Sequence, residues 1–192
     1  MSFKSIALAS LLALPASAFA DWQLASGDSS VNFVSVKKTN IAETHHFKNL
    51  SGSISDAGKA QLVIDLASVE TNIPIRNERM QQMLFDTAKF AKATISADVD
   101  MARLSALKPG QTAMINADVT VDVHGQQQTE KAALQVTALE GGRLLVTTSA
   151  PILVNAGNYK LLEGIEKLRE VAGLDSISPI VPVTAKLVFT QN

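Results

Sequence analysis

The sequence predicts an all-β fold with short helices: about eight antiparallel strands joined mainly by hairpin turns, closed as an up-and-down barrel or stacked as a sandwich. Three observations carry this. Apolar and polar residues alternate with period two through most of the chain, most clearly where Ile115, Ala117, Val119, Val121 and Val123 interleave with Asn116, Asp118, Thr120 and Asp122. Turn-forming runs such as Asp56-Ala57-Gly58-Lys59 and Glu140-Gly141-Gly142-Arg143 fall at hairpin distances between them. Helical spacing is confined to two short stretches, which excludes a doubly wound sheet with a helix after every strand.

The first 20 of the 192 residues read as an export signal rather than as part of this fold. Lys4 supplies a positive start, Ile6 to Leu14 an apolar run, and Ala18-Phe19-Ala20 a small-residue cleavage site before Asp21. The apolar run is too short to span a bilayer, so no stable membrane insertion is expected. Residues 21–192 then form one domain, exported to the periplasm. Without Lys4 the balance is 16 basic against 18 acidic residues, which leaves no basic face for nucleic acid or an anionic membrane. With no cysteine, the domain has no disulfides and is held by its core alone.

Taken in order, Trp22 opens the mature chain, and Val31, Phe33 and Ser35 alternate with Asn32, Val34 and Val36 in a first strand over residues 29–37. A polar second strand, Glu43 to Leu50, turns His45 and His46 to opposite faces. Ser51-Gly52-Ser53 suggests a bulge, and a strand follows over Gln61 to Ala67. The stretch Ser68 to Asp86 breaks the pattern: Met80, Met83 and Leu84 have helical spacing, Thr71 or Asn72 is a candidate cap, and Pro74 suits a first turn. A helix over Ile75 to Phe85 is therefore expected, covering one barrel end with those three residues turned inward.

Strand pattern resumes over Thr94 to Asp100 and over Ile115 to Val123, with a break at Leu104 to Gly110. After a turn at His124 to Gln127 it returns at Leu134, Val136 and Ala138, and again from Leu144 to Leu153. Leu161, Leu162, Ile165 and Leu168 have helical spacing, Glu163 and Lys167 are an i, i+4 pair, and Gly173 is a natural stop. In the last strand, Val183 to Thr190, one face carries Val183, Ala185, Leu187 and Phe189.

An eight-stranded barrel is either filled by its side chains or holds one small ligand. Here the one-faced positions are mainly small aliphatics, and Ala117, Ala138, Ala150 and Ala185 stand where a filled barrel needs bulk. Such a lining suits a hydrocarbon ligand, each buried methylene contributing about 0.8 kcal/mol before ordering costs.

The run Ala67-Ser68-Val69-Glu70-Thr71, then Arg76-Asn77-Glu78-Arg79, Leu84-Phe85-Asp86 and Phe90 to Ile95, resembles the YceI-like family of periplasmic lipocalin-like proteins, described as polyisoprenoid-binding. Trp22 with Ser29, Val31 and Phe33, and the Val119 to Gly125 strand ending in His124-Gly125, fit the same family. The resemblance implies an eight-stranded antiparallel lipocalin-like β-barrel that holds an amphipathic isoprenoid, quinone-like lipid or fatty acid or amide. It implies neither catalytic residues nor a cofactor beyond bound lipid. The family commonly shows an Arg and a Gly where Ala156 and Lys160 align here.

The residues expected at the ligand are Phe33, Arg76, Arg79, Met80, Met83, Leu84 and Phe85, with Ile115, Val119, Val121, Leu134, Val136, Leu144 and Val146 from the later strands. For Arg76 and Arg79 two readings stand. Their guanidinium forks could meet an anionic or carbonyl head group, or they could pair with Glu70, Glu78 or backbone carbonyls and hold the helix. His45, His46 and His124 lack metal-ligand spacing, so no metal is expected. No GxSxG elbow or paired carboxylates indicate catalysis, and an enzyme would need buried His, Asp and Ser converging at one barrel end. The alternative to a lipid carrier is a structural or stress-response interaction module with a filled barrel, able to form a homodimer.

Overall fold

A computed structural model describes residues 22–191; the expected export signal lies outside the described residues. The strand segments are β1 (Trp22–Leu24), β2 (Ser30–Lys37), β3 (Ile41–Phe47), β4 (Leu50–Ile54), β5 (Lys59–Asp65), β6 (Val69–Glu70), β7 (Lys92–Asp98), β8 (Thr112–Val123), β9 (Gln126–Leu139), β10 (Arg143–Thr148), β11 (Ile152–Asn155) and β12 (Ile180–Gln191). All pair antiparallel. β1 pairs with both β4 and β12, so the ring β1-β4-β5-β7-β8-β9-β10-β12 closes on itself as an eight-stranded barrel. Closure removes the free edges that a sandwich would leave. The remaining segments extend four of these staves: β2 continues β1, β3 leads into β4, β6 follows β5, and β11 follows β10.

The interruptions in the staves are patched by side chains. Between β1 and β2, the Ser29 hydroxyl donates to the Ala25 carbonyl at 2.8 Å and accepts from the Val188 amide at 2.9 Å, replacing a ladder bond. Between β5 and β6, the buried Ser68 hydroxyl donates to the Asp65 carbonyl at 2.6 Å and accepts from the Asn49 amide at 3.0 Å. The expected strand from Leu144 to Leu153 is likewise broken at Ser149-Ala150-Pro151. Ala150 is exposed there and faces no interior.

The long hairpin of β8 and β9 turns tightly, with Val123 opposite Gln126. His124 (φ 53°) and Gly125 (φ 69°) are both left-handed, the twist a two-residue hairpin requires. The turn is thus shorter than His124 to Gln127.

Three α-helices complete the described residues: α1 (Pro74–Arg79), α2 (Met101–Ser105) and α3 (Leu162–Val171). The segment expected as one helix from Ile75 to Phe85 is instead α1 followed by a wider π-type turn over Met80–Leu84. Neither Thr71 nor Asn72 caps it. Thr71 directs its amide and hydroxyl to Asn77 Oδ1 at 2.9 and 2.6 Å, and Asn72 lies in the left-handed region. α3 approaches the π turn so closely that a Cβ on Gly164 would lie 2.6 Å from the Met83 carbonyl oxygen.

Candidate ligand-binding cavity

Alternation puts every second strand residue inside the barrel. β8 contributes Ile115, Ala117, Val119, Val121 and Val123, β9 contributes Ala132, Leu134 and Val136, and β12 contributes Val183, Ala185, Leu187 and Phe189. These small and medium side chains do not meet across the axis. They enclose a cavity of about 600 Å³, within the range of about 300–1,000 Å³ usual for small-molecule sites.

One end is closed by apolar packing, where Trp22, Ile54, Ala138, Leu144 and Phe189 meet Leu104 of α2. At the other end α1, the π turn and α3 lie across the barrel, with Met80, Leu84, Ile165 and Leu168 lining the cavity. The lining continues to Ile73 and Ile75, which are 43% and 52% exposed. That end is the mouth.

Of the residues expected at the ligand, Phe33, Arg76, Arg79, Met80, Leu84, Phe85, Ile115, Val119, Val121, Leu134, Val136 and Val146 line this one cavity. Met83 and Leu144 do not. The π turn rotates Met83 off the face shared by Met80 and Leu84, and its carbonyl faces Gly164. Leu144, 2% exposed, is consumed by the closed end.

The structure adds a polar patch at the mouth. On the inner faces of β2 and β3, Ser35 stands opposite Glu43 and Phe33 opposite His45. Glu43 accepts from Lys37 at 2.6 Å and from Arg76 Nη1 at 3.0 Å. The Lys37 hydrogen bond, aided by Arg76, holds its carboxyl below the ordinary value. Arg76 Nη2 also donates to the Thr71 carbonyl at 2.7 Å. Arg76 thus holds the helix, through Glu43 rather than through Glu70 or Glu78. Arg79, one turn on, lines the cavity, and among the described residues no ion pair or side-chain hydrogen bond engages it.

His45 is 3% exposed, and its Nε2 lies 2.9 Å from Ser35 Oγ. Burial, reinforced by the Arg76 charge, pushes its pKa down, so the imidazole is neutral at pH 7. Its Nδ1 has no hydrogen-bond partner among the described residues. A serine and a histidine therefore meet inside the barrel, but no carboxylate orients the ring as in a catalytic triad, because Glu43 is held by two cations. This patch continues the Val31-Phe33-Ser35 alternation, which was its only signal in the sequence.

Glu70 joins the lid to the wall. It is paired with Lys48, accepts from the Asn77 side chain at 3.0 Å and from the Asn72 amide at 2.6 Å, and these bonds, led by Lys48, lower its pKa to about 2. Beside β9, Tyr159 is fully buried and donates to Glu130 at 2.9 Å. Burial and this bond raise the phenol's pKa.

The YceI-like domain profile matches residues 22–189, nearly all of the described chain. The chain belongs to the YceI-like family. Among solved structures, this YceI-like chain is similar to a polyisoprenoid-binding domain from Saccharophagus degradans implicated in plant cell wall breakdown. The two are 42% identical with a TM-score of 0.88, over 90% of this chain and 99% of that one. Burkholderia cenocepacia BcnA shares the fold at 20% identity and a TM-score of 0.63, covering 86% of this chain and 98% of BcnA. No curated protein matches the chain significantly.

In the YceI-like frame the diagnostic stretch has structural work. Ser68 patches a stave, Glu70 and Thr71 hold Asn77, and Arg76 ties the lid to β3. Lys160 is left-handed at φ 55°, a conformation that a glycine would adopt at less cost.

Proposed function

We propose that the protein is a periplasmic carrier or sequestering protein for an amphipathic long-chain lipid, such as a polyisoprenoid, a quinone-like lipid or a fatty acid or amide. The observation that carries this is the continuous cavity of about 600 Å³ inside a closed barrel, walled mainly by aliphatic and phenyl side chains. An apolar cavity of this kind rewards a hydrocarbon chain through desolvation and dispersion and demands no polar contact along its length. The resemblance to the Saccharophagus degradans polyisoprenoid-binding domain supports the same reading. The tail points to the end closed by Trp22 and Phe189, and the head group lies at the α1 mouth beside Arg79. The protein binds rather than transforms its ligand.

The open interior weighs against the alternative of a filled-barrel interaction module. Export rests on the leader: N-terminal sequencing of the periplasmic protein is expected to begin at Asp21. Native mass spectrometry of gently purified protein, paired with solvent extraction, tests the function. A mass increment that disappears on extraction and is recovered as an amphiphile is expected. A protein that carries no lipid and takes up none when offered a series of chain lengths refutes the reading.

A further inference from the structure

The charges that line the cavity are few and unbalanced. Lys37, Arg76 and Arg79 are cationic and Glu43 is anionic; the rest of the lining is uncharged. All four lie at the mouth, on β2, β3 and α1, and the neutral His45 adds no charge there. Glu43 is shared by Lys37 and Arg76, so one negative charge answers two positive ones. Arg79 is answered by none among the described residues. The side chains of Lys37, Glu43 and Arg76 are only 24–31% exposed, and their surroundings are apolar, so water screens them less than it would on an open surface.

We infer that the cavity selects ligands with an anionic head group, a carboxylate or a phosphate, over neutral alcohols, amides and quinones of the same chain length, with Arg79 as the contact. This rests on the lipid-binding reading and narrows it. Arg76 spends both Nη groups on Glu43 and the Thr71 carbonyl and keeps only a buried Nε unpaired, so Arg79 is the guanidinium whose terminal fork is open to a ligand, and that fork fits two oxygens of a carboxylate or phosphate. An anion there also neutralises a positive excess beside an apolar cavity, which a neutral head group leaves uncompensated. The aliphatic lining grips any tail alike, so discrimination falls to the mouth.

The test uses delipidated mature protein and two matched pairs of probes, oleate with oleyl alcohol and farnesyl phosphate with farnesol, each titrated below its critical micelle concentration. A charge-assisted contact predicts that each anion binds about tenfold or more tighter than its alcohol. In Arg79→Gln the loss falls mainly on the anions, so that the preference shrinks to about twofold, and Arg79→Lys restores part of it. Arg79 has no ion-pair or side-chain hydrogen-bond partner among the described residues, and equal thermal midpoints confirm that the variants fold. Equal affinity for anion and alcohol in the wild type, or a preference that survives Arg79→Gln, overturns the anion assignment while leaving lipid binding intact. Failure of all four probes to bind overturns both.

Discussion

Substituting Gly164 by alanine tests whether α3 presses directly on the lid. An ideal Cβ at this position would lie 2.6 Å from the Met83 carbonyl oxygen, 2.7 Å from the Leu84 Cα and 3.2 Å from the Leu84 Cδ1. The first two are backbone atoms, which cannot swing aside as a side chain can. Reaching ordinary contact near 3.4 Å requires α3 and the π turn to separate by roughly 0.8 Å, and overpacking of that kind costs about 1–3 kcal/mol. Alanine's higher helix propensity returns up to about 1 kcal/mol. Set against a mid-range overpacking cost of about 2 kcal/mol, the net expectation is a destabilisation of about 1–2 kcal/mol, which for a domain of this size lowers Tm by roughly 2–8 °C.

Gly27→Ala is the control, because nothing lies within 4 Å of its Cβ position. Thermal unfolding followed by circular dichroism measures both variants. If Gly164→Ala proves as stable as the wild type while Gly27→Ala is neutral, the close approach of α3 to the lid is wrong. The same separation loosens the cover over the cavity, so a bound fluorescent fatty acid is expected to leave Gly164→Ala faster than it leaves the wild type.

Tyr159→Phe removes the donor that satisfies Glu130 at 2.9 Å, and leaving the carboxylate short of a partner costs about 1–3 kcal/mol; an unchanged urea midpoint at pH 7 contradicts this. Glu70 has its pKa lowered from 4.5 to about 2, so its contribution is complete above the ordinary carboxylate range and fades as pH falls through that interval. The stability deficit of Glu70→Gln is therefore expected at pH 7 and to have narrowed markedly by pH 3, and a deficit constant with pH refutes the assignment. Leu144→Ala opens a void in the closed end and costs about 2–5 kcal/mol. Because Leu144 does not line the cavity, lipid stoichiometry measured at a temperature where the variant is folded stays at the wild-type value.

Much of this protein was legible because alternation with period two is a local property. The inward sets on β8 and β12, and hence most of the cavity wall, follow from residue parity once a strand is paired on both sides. Hydrophobic patterning likewise marked α3 and its Glu163–Lys167 pair, seen at 2.6 Å. The places where reading failed are those where geometry is set by distant partners. Met83 shares helical spacing with Met80, but the π turn that rotates it away accompanies the close passage of α3 at Gly164, some 80 residues further along the chain. Leu144 alternates like its neighbours, and only the arrival of Trp22 and Leu104 makes its layer a plug rather than a wall.

The sequence by itself determined the antiparallel strand pattern, its small-residue face and the lid segment, since each rests on the spacing and size of neighbouring residues, whereas closure into a barrel rather than a sandwich rests on β1 pairing with both β4 and β12. Only the tertiary structure decided which end is closed, which arginine is free and that a serine, a histidine, a glutamate and a lysine gather at the mouth. Charge pairing depends on distances between strands and helices far apart in the chain. Glu43 and Arg76 stand 33 positions apart and meet at 3.0 Å, and no local periodicity encodes that encounter.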